Sequence, residues 1–317
     1  MRYVQKLITQ VRKQTENEDV TNFTGIQDSE FLQYFNDAQH NLQALITQQH
    51  PSVFVREKIY TVSANQDKYE IPSDCYLGNK ILNVEFSSTG DERDYYPLAQ
   101  DSLKNRNSMY SASPYKYIRL DGNIILNPKP QSSGKLKVTY IYRVDNLNLR
   151  VGNVKTTTSS VTSGVWSLDL NTVDISYLQN YDYICIVDKK GNQILKNLEF
   201  NPTVNTIEII DPDTQAVTDV YFNIILEASD SVVEIPSGSY LVAGENSTSH
   251  SNFDDSVERY LIAYCAWKIL KRDSSMDSNE AIQELSRMSR EIVDSYGLIS
   301  DDLQLIPQLN DFEDWSY

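Results

Sequence analysis

Three kinds of residue in this chain have the chemistry of a reacting centre: histidines, closely spaced aspartates and cysteines. His250 stands in Ser247-Thr248-Ser249-His250-Ser251, and an imidazole beside a serine supplies the parts of a nucleophile and its base. A histidine in a polar loop is ordinarily solvated, however, and no G-x-S-x-G turn is present to hold a serine out for attack. Asp211 with Asp213, and Asp273 with Asp277, offer paired carboxylates for acid–base work. Turn formation and helix capping account for both pairs more simply. His40 and His50 have no third ligand at a suitable spacing, so surface or capping roles are expected rather than a metal site. Cys75, Cys185 and Cys265 are far apart and odd in number, which fits reduced, buried thiols. Neither G-x-G-x-x-G nor G-x-x-x-x-G-K-[ST] occurs. The expectation is a protein that is not an enzyme, with no catalytic residue, no metal and no cofactor.

Charge narrows the partners. Over 317 residues the formal net charge is −16 and no basic run stands out. Gripping a phosphate backbone requires Lys and Arg to displace counterions, so tight nucleic-acid binding is not expected. The 21 tyrosines suggest a stacking surface for sugars or bases, but strand tyrosines more often fill half-buried sheet faces. No apolar run approaches the ~20 residues of a membrane span, and no secretory signal is visible.

The elements are organised around Asp254 to Gly297. Val257, Tyr260, Leu261, Tyr264, Cys265, Ile269 and Leu270 recur at helical spacing, and Lys268, Lys271 and Arg272 complement the dipole at the end. Asp277 and Glu280 resemble a capping box for a second helix striped by Ile282, Leu285, Met288, Ile292 and Tyr296, with Gly297 placed to stop it. So short a loop makes these helices an antiparallel hairpin. Upstream, Val4, Leu7, Ile8 and Val11 give a short helix to about Gln14, and Asp28 caps a longer one running through Ile46. After Pro51 the period becomes two. Ile59 to Val62, the turn Ser63-Ala64-Asn65-Gln66 and the return strand Lys68 to Ile71 come first, then Ile81 to Phe86. Asp121-Gly122 turns a hairpin between Tyr115–Leu120 and Ile124–Leu126, and Leu136, Val138, Tyr140 and Tyr142 alternate in the next strand. Strand-like runs recur at Trp166–Leu170, Tyr183–Val187, Gln193–Leu195, Val204–Ile210 and Val220–Leu226. The Thr156 to Ser163 run reads as an entry loop, and Gly244 to Ser251 as an exposed loop.

Four stretches in order carry a resemblance: Asp28-Ser29-Glu30-Phe31-Leu32 through Ala38; the step Tyr69-Glu70-Ile71-Pro72-Ser73-Asp74; Ile124 to Pro130 with Val138 to Arg143; and Asp255 to Leu270. Their order and spacing resemble the head-to-tail connector adaptors of short-tailed bacteriophages, similar to the tail tubular protein A group. The resemblance covers roughly 20–145 and 234–317. It implies an α+β fold in which N-terminal helices and a C-terminal helical hairpin form a bundle beside a small antiparallel β-domain. It also implies a homo-oligomeric ring, dodecameric in that family, docked on the portal protein with tail or further ring proteins below. DNA would pass through without specific binding, the site would be the virion head–tail junction, and assembly would occur in the host cytoplasm.

The expected organisation is a bundle from 1–50 and 234–297, a β-domain over 51–145, an inserted all-β domain over 146–233, and a docking tail over 298–317. An alternative use of the insert is carbohydrate or host-surface recognition. Leu305, Ile306, Leu309, Phe312, Trp315 and Tyr317 alternate with acids in the tail, too many large apolar groups for a segment meant to stay disordered. Aromatic side chains are enriched at interface hot spots, and adaptors of the resembled family reach the portal with their C-terminal segment. These six are the candidate portal-docking residues.

Overall fold

The computed structural model describes residues 3–15, 26–102, 113–158, 165–171, 175–178, 180–199, 206–210, 217–225, 235–253, 255–272 and 278–300. Helices form where the sequence repeats at 3.6: α1 (Val4–Gln14), α2 (Asp28–Gln49), a single turn α3 (Ile175–Leu178), α4 (Asp255–Arg272) and α5 (Ser278–Ser300). The fold is α+β. The chain divides into two compact units, 1–42 with 145–292 and 43–144 with 293–317, and α2 and α5 each contribute residues to both.

In the first unit, Val4, Leu7 and Val11 of α1 and Phe31, Phe35 and Leu42 of α2 are buried, as are Leu261, Cys265 and Ile269 of α4. Arg12 on α1 donates to Asp28 at 2.7 Å and lies over the Phe31 ring. Arg272 on α4 donates to Glu30 on α2 at 2.7 Å, and Asn41 Nδ2 donates to the Tyr264 hydroxyl. A seven-stranded sheet completes the unit: β10 (Arg150–Thr158), β11 (Val165–Asn171), β12 (Tyr183–Val187), β13 (Gln193–Glu199), β14 (Thr206–Ile210), β15 (Val217–Ile225) and β16 (Tyr240–Ala243). Its order is β13-β12-β16-β10-β11-β15-β14, so β16, from beyond residue 233, lies between β10 and β12. Val151, Leu178, Ile184, Ile186, Ile235, Leu241 and Ala243 form its core.

One expectation for this unit fails, and the Thr156 to Ser163 loop fails for its first three residues, the rest lying outside the described residues. Thr156 to Thr158 belong to β10, paired with Asp169 to Ser167, because β-branched threonines suit a pleated strand. The stretch Gly244 to Ser251 is not an exposed loop: Asn246 through Ser251 are buried. Ser247 and Thr248 form a short strand, β17, parallel to β9 (Asn146–Leu147).

The second unit contains two four-stranded sheets. One is ordered β1-β8-β3-β4, from β1 (Val55–Val62), β3 (Ile81–Ser87), β4 (Tyr96–Pro97) and β8 (Gly134–Ile141). The other is β2-β7-β6-β5, from β2 (Lys68–Glu70), β5 (Ala99–Gln100), β6 (Lys116–Leu120) and β7 (Asn123–Asn127). Val62, Tyr69, Val84, Phe86, Tyr117, Ile124, Leu126, Leu136, Val138 and Tyr140 build one core. Asp121 and Gly122 both have positive φ, 49° and 71°, as the tight β6–β7 turn requires.

The expected return of Lys68–Ile71 onto Ile59–Val62 does not occur. β1 pairs with β8 over all eight residues, from Val55↔Ile141 to Val62↔Gly134, while β2 pairs with β7. Period two identifies a strand's buried face but not its partner, and β8 offers β1 eight positions where β2 offers three. The turn instead carries the chain between sheets, with Asn65 N–H donating to Pro130 O at 2.8 Å. Gly297 does not end α5, which continues to Ser300. The glycine accommodates His50, since a Cβ there would lie 2.9 Å from His50 Cε1. No described helix is long and apolar enough to cross a membrane.

Candidate functional site

The strongest chemical candidate in the sequence, Ser249–His250, is brought together with Arg150. Ser249 Oγ lies 3.0 Å from His250 Nδ1, and Arg150 Nη2 lies 2.9 Å from Nε2. Arginine has no acceptor, so Nε2 must accept and the proton of the neutral ring sits on Nδ1. The imidazole therefore donates to the serine, the reverse of what a general base does. The Arg150 guanidinium is itself held between the Tyr3 and Tyr240 rings, at 4.1 and 3.5 Å, and its Nε donates to Ser249 Oγ. Burial, and then the Arg150 charge, lower the His250 pKa to about 4. The arrangement fixes a buried chain segment: Val4 N–H donates to Ser249 O at 2.9 Å, satisfying an orphan donor at the start of α1.

A second set of buried polar groups lies along α2, and the apolar stripe read from the sequence does not include it. In the first unit, Asn36 exchanges both bonds with Leu147, Nδ2 to the carbonyl at 3.1 Å and Oδ1 from the amide at 2.7 Å. Gln39 Nε2 donates to Asp145 O at 2.7 Å. In the second unit, fully buried Gln43 donates to Tyr142 O at 2.7 Å and accepts from Val144 N at 3.2 Å. Spacings of three and four put these amides on one helix face, where they pair with extended backbone as a neighbouring strand would. The only sequence signal was polar residues at helical spacing inside an otherwise apolar stripe.

The third cluster gathers around Asp74, the last residue of the Tyr69-to-Asp74 step. Its Oδ1 accepts from the Tyr140 hydroxyl at 2.8 Å, and its Oδ2 pairs with Arg56. The Arg56 guanidinium lies 4.2 Å from the Tyr142 ring centroid, which meets Phe54 edge-on. Burial, with the Asp74 hydrogen bond, raises the Tyr140 pKa, so the phenol stays a donor.

The other sequence candidates are placed as follows. His50 abuts Gly297, and His40 is half-buried on α2. Among the described residues no group of three or more His, Cys, Asp or Glu is placed to hold a metal ion. Asp211, Asp213, Asp273 and Asp277 lie outside the described residues, as do Leu305, Ile306, Leu309, Phe312, Trp315 and Tyr317.

Comparison with protein families gives a match to the SU10 adaptor protein over residues 2–178, more than half of the chain. The chain belongs to the SU10 adaptor family. A comparison with curated proteins gives no match. The family is one of structural bacteriophage adaptors, which work in the virion by contact with other head and tail proteins. The matched region takes in α1, α2, the whole β-domain and the Asp74 cluster, and it runs past Asn146 through β10, β11 and α3. In this member of the family the three polar clusters tie down backbone segments and side chains within each unit.

The Asp74 cluster allows a direct check. Asp74→Ala removes the acceptor of a buried tyrosine and the partner of a half-exposed arginine, with an expected loss of about 2 kcal/mol in the second unit. Asp74→Asn keeps an acceptor for Tyr140 and is expected to lose less. Urea unfolding followed by tyrosine fluorescence reads both, and equal losses would mean that the Tyr140 bond contributes nothing.

Proposed function

We propose that this chain is the repeating subunit of a ring that docks on the phage portal, extends the DNA channel and presents the surface to which the tail attaches. The observation that carries this reading is the adaptor-family match over residues 2–178, alongside the ordered resemblance of α4 and its flanks to connector adaptors. Closed cyclic symmetry is the usual route from one chain to a ring, and the tail tubular protein A likeness makes the copy number twelve. In the ring, α5 joins α1, α2 and α4 in the helical bundle, and the all-β region 146–233 decorates the rim. DNA passes through without specific binding, because a wall with net charge −16 per subunit offers phosphates little to exchange counterions with. Subunits assemble in the host cytoplasm.

The portal contact falls to Leu305, Ile306, Leu309, Phe312, Trp315 and Tyr317. Their apolar groups supply affinity, and Asp311, Glu313 and Asp314 select a basic groove. Deleting Asp311 to Tyr317 is expected to weaken co-sedimentation with portal particles by roughly 30-fold or more, as loss of a ~2 kcal/mol hot spot would. Full binding by the shortened, folded chain would sink this assignment.

A further inference from the structure

The second unit has one long, open backbone edge. In the sheet β1-β8-β3-β4, β1 is an outer strand of eight residues. The other outer strands of the unit, β4, β2 and β5, hold only two or three residues each. Parity shows which backbone groups of β1 are left over. Just before the strand, Phe54 O accepts from Tyr142 N at 2.9 Å, in the same register as Val55↔Ile141. Hydrogen-bonded pairs alternate along an antiparallel ladder, so the even-numbered residues of β1 bond to β8. Ile141 N agrees with this: it turns the other way and donates to Lys80 O, next to β3. The N–H and C=O groups of Val55, Glu57, Ile59 and Thr61 therefore point off the sheet, and among the described residues no backbone group meets them.

An open edge is a template for a further strand unless its side chains obstruct one. Those of β1 obstruct some registers and leave one clear. Arg56, Glu57, Lys58, Ile59 and Thr61 are exposed, and Ile59, at 55%, is a β-branched apolar group in mid-strand. The outward backbone groups belong to odd-numbered residues, so an antiparallel second copy of β1 must set some residue opposite itself. Centring on Glu57 opposes two carboxylates and puts Arg56 against Lys58. Centring on Lys58 opposes two ammonium groups. Centring on Ile59 sets no like charges directly opposite: Ile59 meets Ile59, Glu57 meets Thr61, Lys58 meets Tyr60 and Arg56 meets Val62. Centring nearer either end shortens the overlap.

We propose that β1 pairs antiparallel with β1 of a second copy of this chain, centred on Ile59, joining two four-stranded sheets into one of eight strands. The contact is isologous and closes at two copies, so it belongs to the chain in solution and does not rest on the ring reading. A single strand pair lies below the ~1,200–2,000 Å² of stable interfaces, so the pair is weak and forms as concentration rises.

The test is sedimentation equilibrium of the full-length chain without portal, from roughly 5 to 500 μM, the range in which so small an interface associates. The wild-type chain is expected to pass from one copy to two. Ile59→Lys sets two ammonium groups opposite each other at an exposed position. It is expected to weaken pairing by roughly tenfold or more while the urea midpoint stays put. Under oxidation Ile59→Cys is expected to give a disulfide-linked pair and Glu57→Cys none, because position 59 faces itself and position 57 faces Thr61; the native cysteines are buried. A chain that stays single at every concentration, a pair that survives Ile59→Lys, or cross-linking through position 57 instead of 59 would overturn the proposal. Each of these results would leave the ring on the portal standing.

Discussion

Replacing Gln43 by leucine is expected to destabilise the second unit by about 2–4 kcal/mol, although leucine is the better helix former in apolar surroundings. Gln43 is fully buried on α2, and its amide serves the Tyr142 carbonyl and the Val144 amide of one extended segment. Leucine fills a similar volume but takes a donor and an acceptor away from buried backbone, and each orphaned group costs roughly 1–3 kcal/mol. Gln48, one further turn along and exposed, is the control; Gln48→Leu is expected to stay within ~0.5 kcal/mol of wild type. Urea midpoints of the three proteins decide the matter. Indistinguishable losses from the two variants would show that the Gln43 bonds contribute nothing net.

Lowering the pH from 7 to 5 is expected to remove about 2 kcal/mol of stability from the first unit through His250 alone. The ring is 3% exposed and accepts a hydrogen bond from Arg150, so the folded protein holds it neutral, with a pKa of about 4. The unfolded chain binds a proton near the ordinary value of about 6.5. Between these two values the unfolded state carries more protons, so stability rises with pH through that window and is complete above it. Fully below the window the loss approaches about 3 kcal/mol. His250→Gln retains an acceptor for Arg150 without titrating, and its stability is expected to be flat from pH 7 to 5.5. A wild-type profile equally flat over that range would contradict the buried, neutral assignment.

The parts of the fold that could be read from the chain are those decided locally. The apolar repeat from Val257 to Leu270 and the basic residues that follow locate α4 because helix period and dipole are properties of one segment. Asp121-Gly122 locates the β6–β7 turn for the same reason. What escaped depends on partners distant in sequence. Ser247 to Ser251 has the composition of a solvated loop, yet it is buried, with Asn148, Arg150 and Val4 supplying hydrogen bonds to it. The pairing of β1 with β8, separated by more than 70 residues, cannot be inferred from alternation in either strand.

These observations fit a scaffold built to be docked against. Buried polar clusters tie down backbone segments within each unit. The family match makes the chain a structural phage adaptor, and a ring on the portal is the form in which we propose it works. Electron cryomicroscopy of the full-length chain incubated with its cognate portal tests that claim most directly. The expected image is a closed ring of identical subunits coaxial with the portal, with an open central channel; a portal bearing one copy, or none at concentrations that saturate binding, would contradict it.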